Sequence, residues 1–427
     1  MRSRLTRPFY GWYIVAAAIV IQAIPTALLG QALGSYVVLL ERDFGWSRTT
    51  LSGAFAAIRL EEGLLGPIQG WMLDRFGPRA VMRVGVIVFA AGFFIFAQVN
   101  SVFAFYAAAL VLAVGASLAG FLSVTTAIVN WFERKRSLAM GIALLGTAVG
   151  GLLVPLVVLG MEAWGWRAMA NISGVIVLTV GFAVVQVVRH RPEQYGLLPD
   201  GRQPAPVAEP DGPSTERVIG RSIPYEEDEP SITARAAMRM KAFWYISLAH
   251  TASVLVVSVV MAHFVLYVTT SLDYTLAEAA MFGVVQQVTN FAGRPLGGWL
   301  ADRTSSRAVT IAAMMGHMVA LLLLAFATST WMIVAFALLN GLAWGARVPV
   351  VVSMRAEYFG SRSFGAIMGI SSMVVTLGGV VAPIAAGLAY DATGSYTGAF
   401  AILAVVSGLG SIFLLLLPPT TRRPAAA

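Results

Sequence analysis

Five charged side chains lie well inside otherwise apolar stretches of this chain: Arg59, Glu61 and Glu62 in one, Arg294 in a second and Arg347 in a third. A charge at bilayer depth costs at least ~2.5–3.5 kcal/mol on insertion scales, so such groups are expected to face a cavity and to meet a partner. A guanidinium offers a forked donor pair that matches a carboxylate, which makes Arg294 the candidate anchor for an anionic solute. Glu62, and after it Glu61, are the candidate proton carriers, because a carboxyl group in a low-dielectric cavity can hold a proton near neutral pH. Ser52, Arg59, Glu62, Gly66 and Gln69 recur at helical spacing and predict one stripe, as do Gln287, Asn290 and Arg294. Arg59 also has a plainer reading, neutralisation by Glu62 one turn on. Arg347 precedes Pro349; it reads either as a second anion site or as a side chain snorkelling towards the helix end, since Arg355 is two turns away. The net charge of these five groups is +1, which favours an anionic cargo. His250, His263 and His317 can titrate near neutrality, and His250 is kept as a third proton-coupling candidate; a lone membrane histidine otherwise bonds helix to helix.

Those residues need long apolar helices to hold them, and the composition supplies these. The chain of 427 residues is 58% apolar and only 12% charged, with a mean hydropathy of +0.78. A polytopic membrane protein has that balance and a soluble domain does not. The pI of about 10.0 is assigned to arginine in loops and not to nucleic acid, which is excluded as a partner. The absence of cysteine rules out disulfides and thiolate chemistry. No metal cluster, nucleotide loop or nucleophile–base pair is in view, so neither a cofactor, a metal nor an enzymatic activity is expected.

An internal repeat sets the register. GWMLDRFGPR, from Gly70 to Arg79, returns 228 positions later as GWLADRTSSR, from Gly298 to Arg307. The offset pairs Asp74 with Asp302, Arg75 with Arg303 and Arg79 with Arg307; it also carries Pro67 to Pro295, Met140-Gly141-Ile142 to Met368-Gly369-Ile370, and Pro155 to Pro383. Two copies of one unit are implied. Glu62 then corresponds to Asn290 and Arg59 to Gln287, which predicts a shared interior surface.

Twelve stretches are long enough to cross a bilayer, near 10–39, 48–72, 80–99, 102–131, 138–160 and 167–189, then 242–270, 276–301, 308–328, 331–354, 364–389 and 396–417. The start of the chain, with a basic run and no cleavage signal, is expected to be a retained first helix. The division is a six-helix bundle over 1–189, a linker over 190–241 and a second bundle over 242–427. The linker, rich in Pro, Gly and charge, is expected to be mostly disordered, with a short helix near 232–240. With the N-terminus in the cytoplasm, 23 Lys and Arg fall on the inner side and 3 on the outer, which predicts both termini inside.

Twelve helices in two repeats with a long central loop resemble the major facilitator superfamily. Its signature after helix two, Gly-x-Leu-x-Asp-Arg-x-Gly-Arg-Lys, is matched by Gly70, Asp74, Arg75, Gly77 and Arg79; Met72 and Pro78 depart. The resemblance implies gating roles for Gly70, Asp74, Arg75, Arg79, Asp302, Arg303 and Arg307. Asp74 is expected to pair across the seam between halves with a cation or a helix N-terminus; the plainer reading is a charged helix end that only fixes topology. Helix five lacks the Gly-Pro-x-x-Gly-Gly of drug–proton antiporters, since Pro155 follows Gly150-Gly151, and helix four lacks their arginine.

Gly293-Arg294-Pro295-Leu296-Gly297-Gly298 looks like helix eight of the monocarboxylate porters and oxalate/formate antiporters, where an arginine binds the substrate carboxylate. Gly11-Trp12 and Asp43-Phe44-Gly45-Trp46-Ser47 resemble their bacterial members. Asn290 stands where monocarboxylate porters often have an acid, Gly30 and Gln31 where they have a lysine, and Ser371-Ser372 where oxalate exchangers have one. Gln22, Thr26, Gln31, Asn340 and Trp344 lie on helices that line the cavity in the superfamily, and Gln31 and Trp344 join Arg294, Asn290, Arg347 and Arg59 as candidate substrate contacts.

The expectation is an all-α, twelve-helix monomeric carrier in a bacterial-type inner membrane, moving a small organic anion, a monocarboxylate, with a proton by alternating access. The rivals are an exporter of amphipathic compounds and a membrane sensor that binds without transport.

Overall fold

The computed structural model describes residues 9–202 and 232–418, and every regular element among them is helical. The side chain of Arg59, and the linker over 203–231, lie outside the described residues. The first six passes are α1 (Gly11–Phe44), α2 (Arg48–Phe76), α3 (Pro78–Ala97), α4 (Val102–Trp131), α5 (Arg136–Trp164) and α6 (Trp166–Val185). The second six are α7 (Lys241–Thr270), α8 (Leu276–Arg303), α9 (Ser306–Ala325), α10 (Thr330–Phe359), α11 (Phe364–Thr393) and α12 (Thr397–Leu415). Ten of these are long and apolar enough to cross a membrane. The other two, α2 and α8, have 29 and 28 residues, enough for about 42 Å at 1.5 Å per residue. Their charged stripes lower their hydropathy, and those stripes carry the candidate site.

The repeat is exact where it matters. The helices α2, α3, α4 and α5 begin 228 residues before α8, α9, α10 and α11. The stop and start signals repeat with them. Ser47 accepts the Thr50 amide at the head of α2 (3.2 Å), and its counterpart Thr275 heads α8 in a reciprocal capping box with Glu278. The same partners recur inside each half: α1 with α5 and α7 with α11, α2 with α4 and α8 with α10, α3 with α6 and α9 with α12.

Four passes are less regular than their hydropathy predicts. π-helical turns interrupt α1 at Thr26–Gly30 and α6 at Val177–Gly181, Gly120 interrupts α4, and α5 breaks at Leu144–Leu145. The linker also begins with structure: Pro192–Tyr195 and Pro199–Gly201 form short turns, and the Asp200 carboxylate accepts the amides of Glu133 (3.0 Å), Arg134 (2.7 Å) and Lys135 (3.3 Å) below α4. The short helix expected near 232–240 is present as Ala234–Arg239.

The two halves differ inside. The amino-terminal half has one continuous apolar core. In the carboxy-terminal half the core falls into two main clusters, one around Phe336, Val256 and Phe400 and one around Met354, Ile246 and Met314. His317, Asn340 and Arg347 lie buried between them in chain order.

Candidate functional site

The halves meet along α2–α11 and along α5–α8, and the contacts gather at the end of the bundle that carries the Arg-rich loops, here called the basic end. Small residues make the close approach possible. A Cβ on Gly66 would meet the Gly369 carbonyl at 2.9 Å, and one on Gly70 would run into Gly365 and Ala366. In the other pair, Gly141 sits against the backbone of Arg294 and Pro295, and Gly298 against Ser137 and Leu138. These contacts are related by the same offset.

Two carboxylates complete the seam. Asp74 accepts the amides of Gly365 and Ala366, both at 2.8 Å. Asp302 accepts those of Ser137 (3.0 Å) and Leu138 (2.9 Å). Each pair of amides lies in the first turn of α11 or α5, where the N–H groups lack intrahelical acceptors and the helix dipole favours negative charge. Each aspartate therefore caps a helix of the other half.

Of the two partners expected for Asp74, the structure selects the helix N-terminus. The neighbouring arginines do not cross the seam. Arg75 lies over the Trp71 and Phe76 rings (5.8 Å each) and Arg303 over Trp299 (4.4 Å), each within its own helix. Arg79 donates to the Gln186 carbonyl at 2.6 Å, and Arg307 to the carbonyls of Leu417 (3.2 Å) and Leu415, so each braces its own half.

Arg294 lies where the seam ends. Its guanidinium leaves α8 and donates to Leu144 O and to Thr147 Oγ1 (2.5 Å) at the break in α5. Among the described residues no carboxylate pairs with it. Asn290, one turn away, is 3% exposed and its Nδ2 has no partner. On α1, Gln22 and Thr26 pack against Gly146 and Gly150, and Gln31 against Gly151, so α1 and Arg294 approach the same stretch of α5. Thr147 and Leu144 were not among the expected site residues; the adjacent glycines and Pro155 marked the helix as irregular without showing what the break would meet.

The expected stripe on α2 divides. Gln69 donates to the Ser117 carbonyl (2.6 Å) and Ser123 (3.3 Å), turning towards α4, whereas Gly66 faces α11. Glu61 follows Gln69: its Oε2 accepts from Ser117 (3.2 Å), and its buried Oε1 has no partner. Glu62 is exposed at the level of Asn290 and is not free of contacts.

The three membrane histidines each have a hydrogen-bond partner. His263 bridges Tyr396 OH and the Pro383 carbonyl (3.0 Å each), and His317 meets Asn340 at 2.7 Å. His250 Nδ1 is 2.9 Å from Arg355 Nη2, which also donates to Ser371 (2.8 Å). A guanidinium cannot accept, so His250 Nδ1 is the acceptor. Arg355 departs from its place in the predicted loop after helix ten: it is 1% exposed inside the half. Arg347 is also 1% exposed, so it does not snorkel, and its Nε and Nη1 have no partner. Trp344, one turn before it, is half-buried. Among the described residues no group of His, Asp and Glu could hold a metal ion.

Two pseudosymmetric helix bundles that touch through reciprocal caps, with unpaired charge beside the seam, define a polytopic carrier architecture. The chain belongs to the Major Facilitator Superfamily, whose family model matches residues 14–286 and 246–427. It is a multi-pass integral membrane transporter of that superfamily, not an enzyme. It is similar to human monocarboxylate transporter 11, with 25% identity over 96% of this chain and 83% of the relative. It is also similar to the membrane sensor protein UhpC of Salmonella typhimurium, with 25% identity over 82% and 78% of the two chains. Among solved structures, the human organic anion transporter MFSD10 superposes with a TM-score of 0.68 at 16% identity, covering 95% of this chain and 98% of that one; at that identity the likeness shows the fold alone.

Proposed function

We propose that this protein is a proton-coupled carrier of a small organic anion, a monocarboxylate, working by alternating access. The observation that carries the reading is the Arg294 guanidinium: it stands at the end of the seam with hydroxyl and carbonyl partners but no carboxylate among the described residues. A monocarboxylate can supply the missing charge in a bidentate pair. The orphaned Asn290 amide is one turn away, and the relatives named monocarboxylate transporters support the same class.

In this reading residues 1–189 and 242–427 are the moving bundles and 190–241 links them. The basic end is cytoplasmic with both termini, in a bacterial-type inner membrane, because 23 Lys and Arg fall on that side against 3 on the other. The seam is then closed to the cytoplasm. Substrate that draws Arg294 away from Leu144 and Thr147 loosens the α5–α8 contact, which ties binding to reopening. Glu62 and Glu61 carry the proton. His250 is left out of the proton path, because its Nδ1 is occupied by Arg355.

The test is uptake of a panel of labelled monocarboxylates into proteoliposomes with and without an inward proton gradient. Gradient-stimulated uptake that Arg294→Lys abolishes is the expected result. Uptake indifferent to the gradient removes the symport, efflux of amphipathic compounds in its place favours the exporter, and binding without flux favours a sensor like the Salmonella relative.

A further inference from the structure

Five residues of the polar layer that divides the core of the carboxy-terminal half have apolar counterparts in the other half. Shifted back by 228 positions, Arg347 becomes Ala119, Arg355 Ala127, Ser371 Ala143, Asn340 Leu112 and His317 Phe89. All five counterparts are buried and apolar, in a core that packs the same helices in the same pairs. The fold therefore does not need polar side chains at these positions.

What stands there instead is positive and under-satisfied. Arg347 and Arg355 are each 1% exposed and stand about two turns apart on α10. Three guanidinium nitrogens, Arg347 Nε and Nη1 and Arg355 Nη1, lack a partner, and so does the buried Nδ2 of Asn340. Among the described residues no carboxylate pairs with either arginine. A buried charge without a counter-charge is one of the costliest arrangements in a protein interior; the orphans on both arginines and on Asn340 are donors, while the orphaned Nε2 of His317 is an acceptor because its Nδ1 donates to Asn340 Oδ1. His250, whose Nδ1 is taken by Arg355, presents Nε2–H in its neutral form and is only half-buried, so the layer reaches accessible surface there.

We propose that this layer is a second anion site, separate from Arg294, that seats a small anion between the guanidinium groups of Arg347 and Arg355. The shared chemistry is a compact negative acceptor. It can come from a free inorganic anion of the halide class, or from a second carboxylate on the transported anion. Only the second source rests on the function proposed above, and it keeps the anion carrier while making its cargo a dicarboxylate in place of a monocarboxylate.

The experiment titrates purified full-length protein in a buffer of bulky sulfonate anions with chloride, acetate or malonate, following thermal stability. A saturable rise with chloride identifies a resident inorganic anion. Malonate half-saturating at least about tenfold below acetate identifies a doubly charged substrate, a difference of about 1.4 kcal/mol. In either case Arg347→Gln and Arg355→Gln abolish the effect. The chloride rise survives Arg294→Lys, whereas a second-carboxylate source predicts that Arg294→Lys weakens acetate and malonate alike. Without added anion the glutamine variants are more stable than the parent, because an unpaired buried charge has been removed; a purely structural role predicts the reverse. No saturable effect of any of the three anions on the parent, or an effect that persists in both glutamine variants, overturns the proposal. Should neither variant fold, bromide in crystals of the parent decides: an anomalous peak between the two guanidinium groups supports the site, and none there overturns it.

Discussion

The seam and the bundle interiors obey opposite rules. At the seam the repeat is kept down to single amides: Asp74 with Gly365 and Ala366 is the 228-residue image of Asp302 with Ser137 and Leu138. A few turns away the symmetry ends. The α2 level has Glu61 and Glu62 where α8 has Thr289 and Asn290, and apolar core positions of one half correspond to arginine and histidine in the other. Closing one end of a carrier asks the same mechanical task of both halves, so the same device serves twice. Recognising a charged solute requires unlike groups, so the halves diverge where binding is proposed.

The contrast can be broken or sharpened by experiment. The largest effect is expected on the asymmetric side. Arg294→Lys keeps a positive charge but loses the forked donor, and transport should fall by about a hundredfold or more, with the protein still folded by thermal denaturation; near-normal uptake would remove the anchor. Next, Glu62→Gln should abolish stimulation by an inward proton gradient while leaving anion exchange within about threefold of the parent, measured as counterflow in proteoliposomes. If the gradient still drives uptake, Glu61→Gln is expected to be the variant that stops it, and insensitivity of both would sever α2 from coupling.

Smaller and equal effects are expected at the symmetric seam. Asp74→Ala and Asp302→Ala each remove a helix cap of about 1 kcal/mol, which should shift the balance away from the state closed at the basic end by roughly fivefold. The chain has no cysteine, so paired spin labels on introduced cysteines across the basic end report that balance directly. Markedly unequal shifts would contradict the reciprocal-cap description. The smallest effect should come from Arg75→Ala and Arg303→Ala, whose side chains lie over rings of their own helices. Exposed contacts of this kind contribute about 0.5–1 kcal/mol, and the same spin-label distances should stay within error of the parent.

Much of this organisation was readable in the residues. The twelve passes, the offset and the arginine bias are properties of composition and local period, and they placed Asp74 and Asp302 at matching helix ends before any contact was known. The charged stripes also located Arg294 and Asn290 one turn apart. Other features resisted. Gln69 and Gly66 belong to one predicted stripe but turn to different neighbours, because a stripe broad enough to cover one helix face can touch two helices. Arg355 falls just past the predicted span 331–354, yet it lies within α10 and α7 and α11 enclose it.

By itself, then, the sequence determined the class of protein, its repeat and the places where charge enters the membrane, since these follow from hydropathy and spacing along one chain. Only the tertiary structure decided that the aspartates cap helices of the opposite half, that Arg294 reaches the break in α5 and that Arg347 and Arg355 are buried together. Those facts depend on which surfaces meet across more than a hundred residues of chain, and local pattern has no access to that geometry.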